Sequence, residues 1–433
     1  MCIVPFKAIS SLAGVLAGLL AGGPAMAEEL VILTSFPPNF YEVLIQKFEQ
    51  AHSDIKVEIV QRSTTSGVRF LLERVNADVD VFWASSPDAF ELLKDRDQLA
   101  VVDVAIPLRD GVVAGYPVND ADGRYFGFAF STFGAAYNPD YLTRSGLPVP
   151  RRWEDLTRPD YWGHIGITAP SRSGTSHFIV EAILQTYGWA DGWALVFRLG
   201  GNLSTITARS FGIADGIEQG RFGLGPSIDF LATAARTTDG IAFSVLEPLF
   251  LVPASVAVLE RSDDRTAAAR FVEFLLSTDV QLMLMSAQLG RIPVIDELRA
   301  LALASRGIHL PEPVLVNGAI FDAKLSARRY GLVNTIFDEW IVTRRQEVTE
   351  KWAAVNALPR DKAEGLAALL GRAPISAARS LELIEMSAGD GSVAGAAFEE
   401  DPAVAEEIRA AVSAQFAQFD AELARLTILA DDR

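Results

Sequence analysis

Cysteine is almost absent from this sequence: Cys2 is the only one in 433 residues, and there are four histidines. That count excludes a disulfide framework, a thiolate zinc site and a Cys-held iron–sulfur cluster. His52, His164 and His309 have no ligand spacing, so no metal site and no cofactor is expected. Positive charge is in deficit as well, with Lys+Arg at 38 against Asp+Glu at 55 and a net charge of -17. A basic field that could hold nucleic acid or an anionic membrane surface is excluded by that balance. G-x-S-x-G, Walker, G-x-G-x-x-G and H-E-x-x-H motifs are missing, which leaves the enzyme classes weakly supported. An exported hydrolase stays open only as a minor alternative, because catalytic triads are not local in sequence. After the first 27 residues no apolar run reaches the about 18 residues of a membrane span. The best stretch, Ser244 to Leu259, contains Glu247, Pro248 and Pro253 and reads as buried strand and loop. What is present is core material: 50% hydrophobic against 21% charged residues, without a disorder signature.

Residues 1–27 carry one charge, Lys7, then a Leu/Ala/Gly-rich stretch from Ala8 to Gly23, then Pro24 and Ala25-Met26-Ala27. That is the n-region, h-region and A-x-A pattern of a secretory signal peptide, so the expected location is the periplasm. Cys2 precedes the apolar stretch and cannot serve as a lipid-attachment site after it. Cleavage after Ala27 leaves 433 − 27 = 406 residues with no cysteine, and loss of Lys7 takes the charge from -17 to -18.

Along the rest of the chain, apolar runs alternate with Ser/Thr-rich loops and amphipathic segments. Strands are expected at Leu30–Leu33, Ile55–Val60 and Val79–Trp83, with helices at Phe40–Ala51, Val68–Val75 and Asp88–Leu93. In the first helix Phe40, Leu44 and Phe48 share a face. A second set has strands at Ile165–Ala169, Leu203–Thr207 and Phe222–Leu224, with helices at His177–Tyr187 and Ile213–Glu218. Strand–loop–helix repetition of this kind points to an α/β protein with parallel, doubly wound sheets. The expected organisation is a first lobe over 28–128 and 243–317, a second lobe over 129–242 inserted in it, and an extra C-terminal helical region over 318–433. Phe128–Thr132 and Ala242–Ser244 are the hinge candidates, and the C-terminal helices are expected to pack on the first lobe.

In doubly wound sheets the loops at the carboxyl ends of the strands line the ligand crevice. Here these loops carry Ser35, Thr65, Ser66, Ser85 and Ser86 in the first lobe. The strongest signal is Ser171-Arg172-Ser173-Gly174-Thr175, between a strand and a helix start. A helix N-terminus offers unpaired N–H groups and partial positive charge, hydroxyls add donors, and an arginine can fork two hydrogen bonds onto a phosphate or carboxylate. Arg209 and Ser210 repeat the pattern. Asp229 and Glu247 are placed to accept hydrogen bonds from ligand hydroxyls or amines, or to serve as interlobe salt bridges or caps. Phe36, Trp83 and Phe130 are candidates for stacking, although plain core packing is the better account of each. The ligand these residues suggest is a small anionic organic molecule.

The opening Leu30-Val31-Ile32-Leu33-Thr34-Ser35, Asp78-Val79-Asp80-Val81-Phe82, Trp153-Glu154-Asp155-Leu156, Ala269 to Ser277, Gln281 and Ile292-Pro293-Val294 resemble the bacterial extracellular solute-binding proteins of type II. Within that superfamily Ser171 to Thr175, Ile206 to Gly212 and Tyr330-Gly331-Leu332-Val333-Asn334 are similar to the branch of iron(III), hexose-phosphate, aminoethylphosphonate and phosphoglycerate binders. Phosphoglycerate transport regulators, with their extended C-terminal region, resemble the chain most. The resemblance implies a two-lobed clamshell that closes on a phosphorylated or otherwise anionic molecule, as a monomer. It also implies delivery to an ABC permease, or signalling to a membrane sensor kinase. Iron(III) binders of this branch use adjacent tyrosines; none of the eight tyrosines here has a tyrosine neighbour.

Overall fold

A computed structural model describes residues 28–74, 78–105, 112–113, 116–234, 240–308, 321–389 and 401–431. The expected signal peptide lies outside these residues. The chain starts with three strand–helix units: β1 (Glu28–Thr34), α1 (Pro38–Ala51), β2 (Ile55–Gln61), α2 (Thr64–Glu73), β3 (Val81–Ala84) and α3 (Pro87–Asp95). A small hairpin, β4 (Val112–Val113) and β5 (Tyr116–Pro117), precedes the long strand β6 (Phe126–Tyr137) and the short helix α4 (Pro139–Arg144). The second lobe follows as β7 (Ile165–Thr168), α5 (Gly174–Tyr187), α6 (Trp189–Gly201), β8 (Leu203–Thr207), α7 (Gly212–Glu218), β9 (Leu224–Ile228) and α8 (Asp229–Ala234). The chain returns through β10 (Ala242–Val245), β11 (Leu251–Val258), α9 (Arg265–Leu276), α10 (Thr278–Leu284), β12 (Ile292–Pro293) and α11 (Asp296–Ser305). Helices α12 (Ala323–Phe337), α13 (Arg345–Asn356), α14 (Arg360–Gly371), α15 (Ala377–Gly389) and α16 (Pro402–Asp431) complete it.

The strand order is β2-β1-β3-β11-β6-β9-β7-β8, with β10 and β12 also on β6. Strand β6 is the seam. Up to Thr132 it pairs antiparallel with β11 in the first lobe, and from Phe133 onward it pairs with β9 in the second. Its sequence, FGFAFSTFGAAY, is buried along eleven of twelve positions, as a strand covered on both faces must be. Phe128–Thr132 belongs to the half that pairs β11, whereas Ala242–Ser244 pairs with Ala135–Tyr137 of β6. On α1, Phe40, Leu44 and Phe48 are all buried, each contributing about 1.5–3 kcal/mol.

Two helices begin earlier than the apolar spacing suggests. Ser63 caps α2 by accepting from the Ser66 N–H, and Ser173 caps α5 by accepting from the Ser176 N–H. A serine at the cap position satisfies an otherwise orphaned donor and so draws the following polar residues into the first turn. Strand β9 also differs: Gly225-Pro226-Ser227-Ile228 reads as a loop but forms strand. Pairing with β7 is confined to Leu224, so a residue lacking an N–H is tolerated at position 226. At Gly225 a Cβ would come within 2.2 Å of the Gly166 carbonyl oxygen, which is why glycine stands there.

The C-terminal helices correct the expectation of packing on the first lobe alone. Helix α12 lies between α3 of the first lobe and α5 of the second. Tyr330 Oη is 3.0 Å from Thr65 Oγ1 on α2, and Ser326 Oγ donates to Asp88 Oδ2 on α3 at 3.2 Å. On the other side Arg329 grips the buried Glu181 of α5 through three hydrogen bonds of 2.6–3.0 Å. The helices after α12 pack on α6 of the second lobe, with Trp340 stacked on Phe197 at 4.0 Å and Trp352 against Gly201.

His177 of α5 is fully buried in this seam, stacked on Tyr330 at 3.6 Å, with Nδ1 donating to Asn334 Oδ1 and Nε2 3.3 Å from Asp88 Oδ2. Burial pulls its pKa down to about 4 and pushes Asp88 up. In the unfolded chain the imidazole titrates near its ordinary 6.5, so between about 4 and 6.5 the unfolded state binds more protons. The contribution of His177 is therefore complete above pH 6.5 and lost as pH falls toward 4, while the raised Asp88 beside it acts in the opposite direction. Urea titrations at pH 7 and 5 should show this loss for the wild type and a smaller one for His177→Gln. Equal losses would remove His177 as the cause.

Candidate functional site

The carboxyl ends of β1, β2, β3, β7, β8 and β9 converge on one cleft between the lobes. From the first lobe it is lined by Ser35, Phe36, Pro37, Ser63, Thr64 and Ser85. From the second it is lined by Arg172, Ser173, Gly174, Thr175, Arg209, Ser210, Phe211, Phe230 and Leu231. The lobes approach closely: about 40 Å³ remains for the centres of water-sized molecules, a few waters' worth.

Two electrostatic features define this cleft. Both Arg172 and Arg209 border it, and neither guanidinium has a hydrogen-bond or ion-pair partner among the described residues. No Asp or Glu is among the lining residues, although the chain carries 55 of them. The cleft is a local reversal of the sign of the whole molecule. Hydrogen-bond donors add to it. Ser63 and Ser173 cap α2 and α5, so the start of α2, at Ser63 and Thr64, and the first turn of α5 open onto the cleft. The N–H groups of Gly174 and Thr175 precede the first capped donor and have no acceptor among the described residues. Unpaired N–H groups at the start of a fourteen-residue helix favour an anion, and the two cationic side chains act in the same direction.

Of the residues singled out in the sequence, Ser35, Ser85, Arg172, Ser173, Gly174, Thr175, Arg209 and Ser210 stand on this wall. The others are placed elsewhere. Ser171 is half-buried one residue before Arg172, outside the lining. Thr65 turns to Tyr330, Ser66 is exposed, and Ser86 donates to Asp88 Oδ1 at 2.5 Å. Asp229 accepts from the Thr132 N–H and hydroxyl and from Arg306 Nη1, each at 3.0 Å. Glu247 is exposed, bridged through its backbone to Arg151–Trp153. Among the aromatics, Phe36 lines the cleft, while Trp83 and Phe130 are wholly buried core.

Ser63, Thr64, Pro37, Phe211, Phe230 and Leu231 complete the wall and are not among the sequence candidates. The signal for the first two was the phase of α2: with Ser63 as cap, the cap and first residue face the cleft, and the following two turn away. Arg291, behind the wall, is not among the sequence candidates either. A charged residue inside the apolar run Arg291-Ile292-Pro293-Val294 is the mark that could have found it.

Gly174 lies close against the first lobe. A Cβ there would sit 2.9 Å from Thr64 Oγ1 and 3.1 Å from Ser86 Oγ, both of the opposite lobe. Gly174→Ala should destabilise the closed form by about 1–3 kcal/mol, read as lost affinity in calorimetric titration. Unchanged affinity would mean the liganded lobes never approach this closely.

Among the described residues no cluster of His, Cys, Asp and Glu could hold a metal ion, and no helix is long and apolar enough to cross a membrane. The sequence profile of the bacterial extracellular solute-binding proteins matches residues 77–306. The phosphoglycerate transport regulatory protein PgtC of Salmonella typhimurium is 32% identical over 365 residues, covering 82% of this chain and 88% of that protein. Among solved structures, the periplasmic binding protein AfuA from Actinobacillus pleuropneumoniae, with fructose-6-phosphate bound, superposes with a TM-score of 0.57 at 19% identity. That match covers 75% of this chain and 98% of AfuA. The substrate-binding protein of an ABC transporter from Agrobacterium tumefaciens matches with a TM-score of 0.58 at 18% identity, covering 76% of this chain and 96% of that one. These two likenesses establish the two-lobed fold. The chain belongs to the bacterial extracellular solute-binding protein family, as a type II member with extra C-terminal helices.

Proposed function

We propose that this protein captures a small anionic, phosphorylated organic molecule in the cleft between its lobes, in the periplasm, and delivers it to an ABC importer. The observation that carries the reading is the pair of guanidiniums, Arg172 and Arg209, without a partner among the described residues, in a cleft whose described lining holds no carboxylate. Both arginines are exposed at the mouth of the cleft. Hydrogen bonds from a guanidinium to an anionic group are stronger than neutral ones, and closure of the lobes on a ligand would withdraw them from water, so these local donors outweigh the acidic field of the whole chain. Fructose-6-phosphate in AfuA and the word phosphoglycerate in the name of PgtC are consistent with a phosphorylated ligand. Contacts from both lobes exist together only when the cleft is closed, so the ligand shifts the open–closed population.

A second reading, a sensor that reports the ligand to a membrane histidine kinase, is favoured by α12. That helix touches both lobes, so a change in their separation reaches the C-terminal region, and PgtC is named a regulatory protein. The two readings part in reconstitution: ligand-loaded protein stimulates the ATPase of a cognate permease in one, and kinase autophosphorylation in the other.

The ligand class is tested by a thermal-shift panel on protein unfolded and refolded to strip carried-over ligand. Phosphoglycerates, hexose phosphates, aminoethylphosphonate, inorganic phosphate, citrate, neutral sugars and iron(III) citrate would be compared. A ligand at about 100 times its dissociation constant adds about 2.7 kcal/mol, a shift of about 2 °C for a chain this long. Shifts confined to phosphorylated compounds support the reading; shifts with neutral sugars or iron alone refute it.

A further inference from the structure

Arg291 is wholly buried directly behind the cleft wall. Its Nη2 donates to Ser85 Oγ at 3.0 Å and its Nη1 to Ser131 Oγ at 2.6 Å, while Nε has no partner. Three aromatic faces surround the guanidinium, Phe230 at 3.6 Å, Phe36 at 4.8 Å and Phe40 at 5.0 Å. No carboxylate lies within ion-pair distance among the described residues. The nearest acidic influence is Asp229, and Asp229 is already paired with Arg306 at 3.0 Å. Two guanidiniums thus share one carboxylate, which leaves one positive charge buried and uncompensated. Burial draws Arg291 down to about 9, still cationic at neutral pH.

An uncompensated buried charge is costly, and serine hydroxyls and ring faces repay only part of it. Ser85, Phe36 and Phe230 all stand on the cleft wall, so the missing counter-charge has one open approach. The hydroxyl of Ser85 accepts from Arg291 and makes no other hydrogen bond among the described residues, which leaves its proton to be donated into the cleft. From this geometry we infer that Arg291 is a positioning residue for the ligand's anionic group, acting through Ser85, which it turns into an obligate donor, and selecting for higher negative charge. The inference rests on the anionic-ligand reading and adds to it a determinant that touches no ligand atom.

At about 6 Å, the distance from Arg291 through Ser85 to a ligand oxygen, the attraction of two unit charges in a protein-like medium is a factor of about 10–100 in affinity. The experiment is calorimetric titration of 3-phosphoglycerate and of glycerate, which differ by the phosphate charge, into wild type, Ser85→Ala, Arg291→Met and Arg291→Lys. Urea unfolding of each ligand-free variant is measured alongside. Arg291→Met should lose about 10–100-fold in 3-phosphoglycerate affinity and clearly less for glycerate, with ligand-free stability kept or raised. Arg291→Lys should retain most of the preference, and Ser85→Ala should lose about tenfold. If Arg291→Met does not fold, Ser85→Ala and Arg291→Lys decide alone. Wild-type binding with an unaltered ratio in these variants overturns the role of Arg291 and leaves the anion cleft standing. Absence of anion binding in the wild type overturns both.

Discussion

Replacing Arg172 by alanine is expected to weaken binding of a phosphorylated ligand by about 1.5–3 kcal/mol, about 10- to 150-fold in affinity. The size follows from the surroundings. The Arg172 side chain has no partner among the described residues, so its removal strands no other group and costs the fold little. What is lost is a charge-assisted contact, bidentate where the ligand presents two oxygens. Arg172→Lys should recover only part of it, because an ammonium cannot reproduce the planar fork. Arg209→Ala should act in the same direction. Because both cations would contact one anion, the double variant should depart from additivity. Calorimetric titration with 3-phosphoglycerate provides the check, and unchanged affinity in Arg172→Ala would remove that residue from the site.

The largest expected effect on stability lies in the seam made by α12. Arg329→Ala should destabilise the folded protein by about 3–5 kcal/mol, because it leaves the Glu181 carboxylate, 0% exposed, without its partner. The bidentate geometry and the bond from Gln185 Nε2 to Glu181 Oε1 hold that carboxylate in place, so it cannot turn to water. Exchanging both residues for apolar ones of similar volume, Glu181→Leu with Arg329→Met, should restore most of the loss. That contrast separates the penalty of an orphaned charge from the net worth of the pair. Urea unfolding of the two variants decides it: comparable losses in both would mean that Arg329 matters through packing on Trp189 rather than through charge.

The alternating units of the first lobe were legible because each carries its own local evidence. The period-four face of Phe40, Leu44 and Phe48 and the apolar runs of β1 and β3 are readable without knowledge of their partners. Loops rich in Ser and Thr at strand ends were legible for the same reason, and eight of the cleft-lining residues sit in them. Helix phase was harder. Thr64 and Thr65 are chemically alike and adjacent, yet one faces the cleft and the other Tyr330, a distinction set by the Ser63 cap. Asp229 and Glu247 stand at strand ends too, but Arg306 takes up the Asp229 carboxylate, and pairing of the Glu247 backbone with Arg151–Trp153 leaves its side chain exposed outside the cleft lining; such long-range arrangements leave no local trace. Helix α12 shows the same limit. Its residues read only as part of a helical C-terminal region, and only the tertiary fold puts Tyr330 beside the first lobe and Arg329 beside the second.

The central claim is that an anion is held between the lobes by Arg172, Arg209 and the first turn of α5. A crystal structure of the refolded protein with 3-phosphoglycerate tests it most directly. The phosphate is expected within hydrogen-bond distance of the Arg172 or Arg209 guanidinium and of the Gly174 or Thr175 N–H, with Ser85 donating to the same ligand. A phosphate bound away from both arginines, for instance in the groove that Arg198 and Trp352 line between α6 and α13, would contradict it.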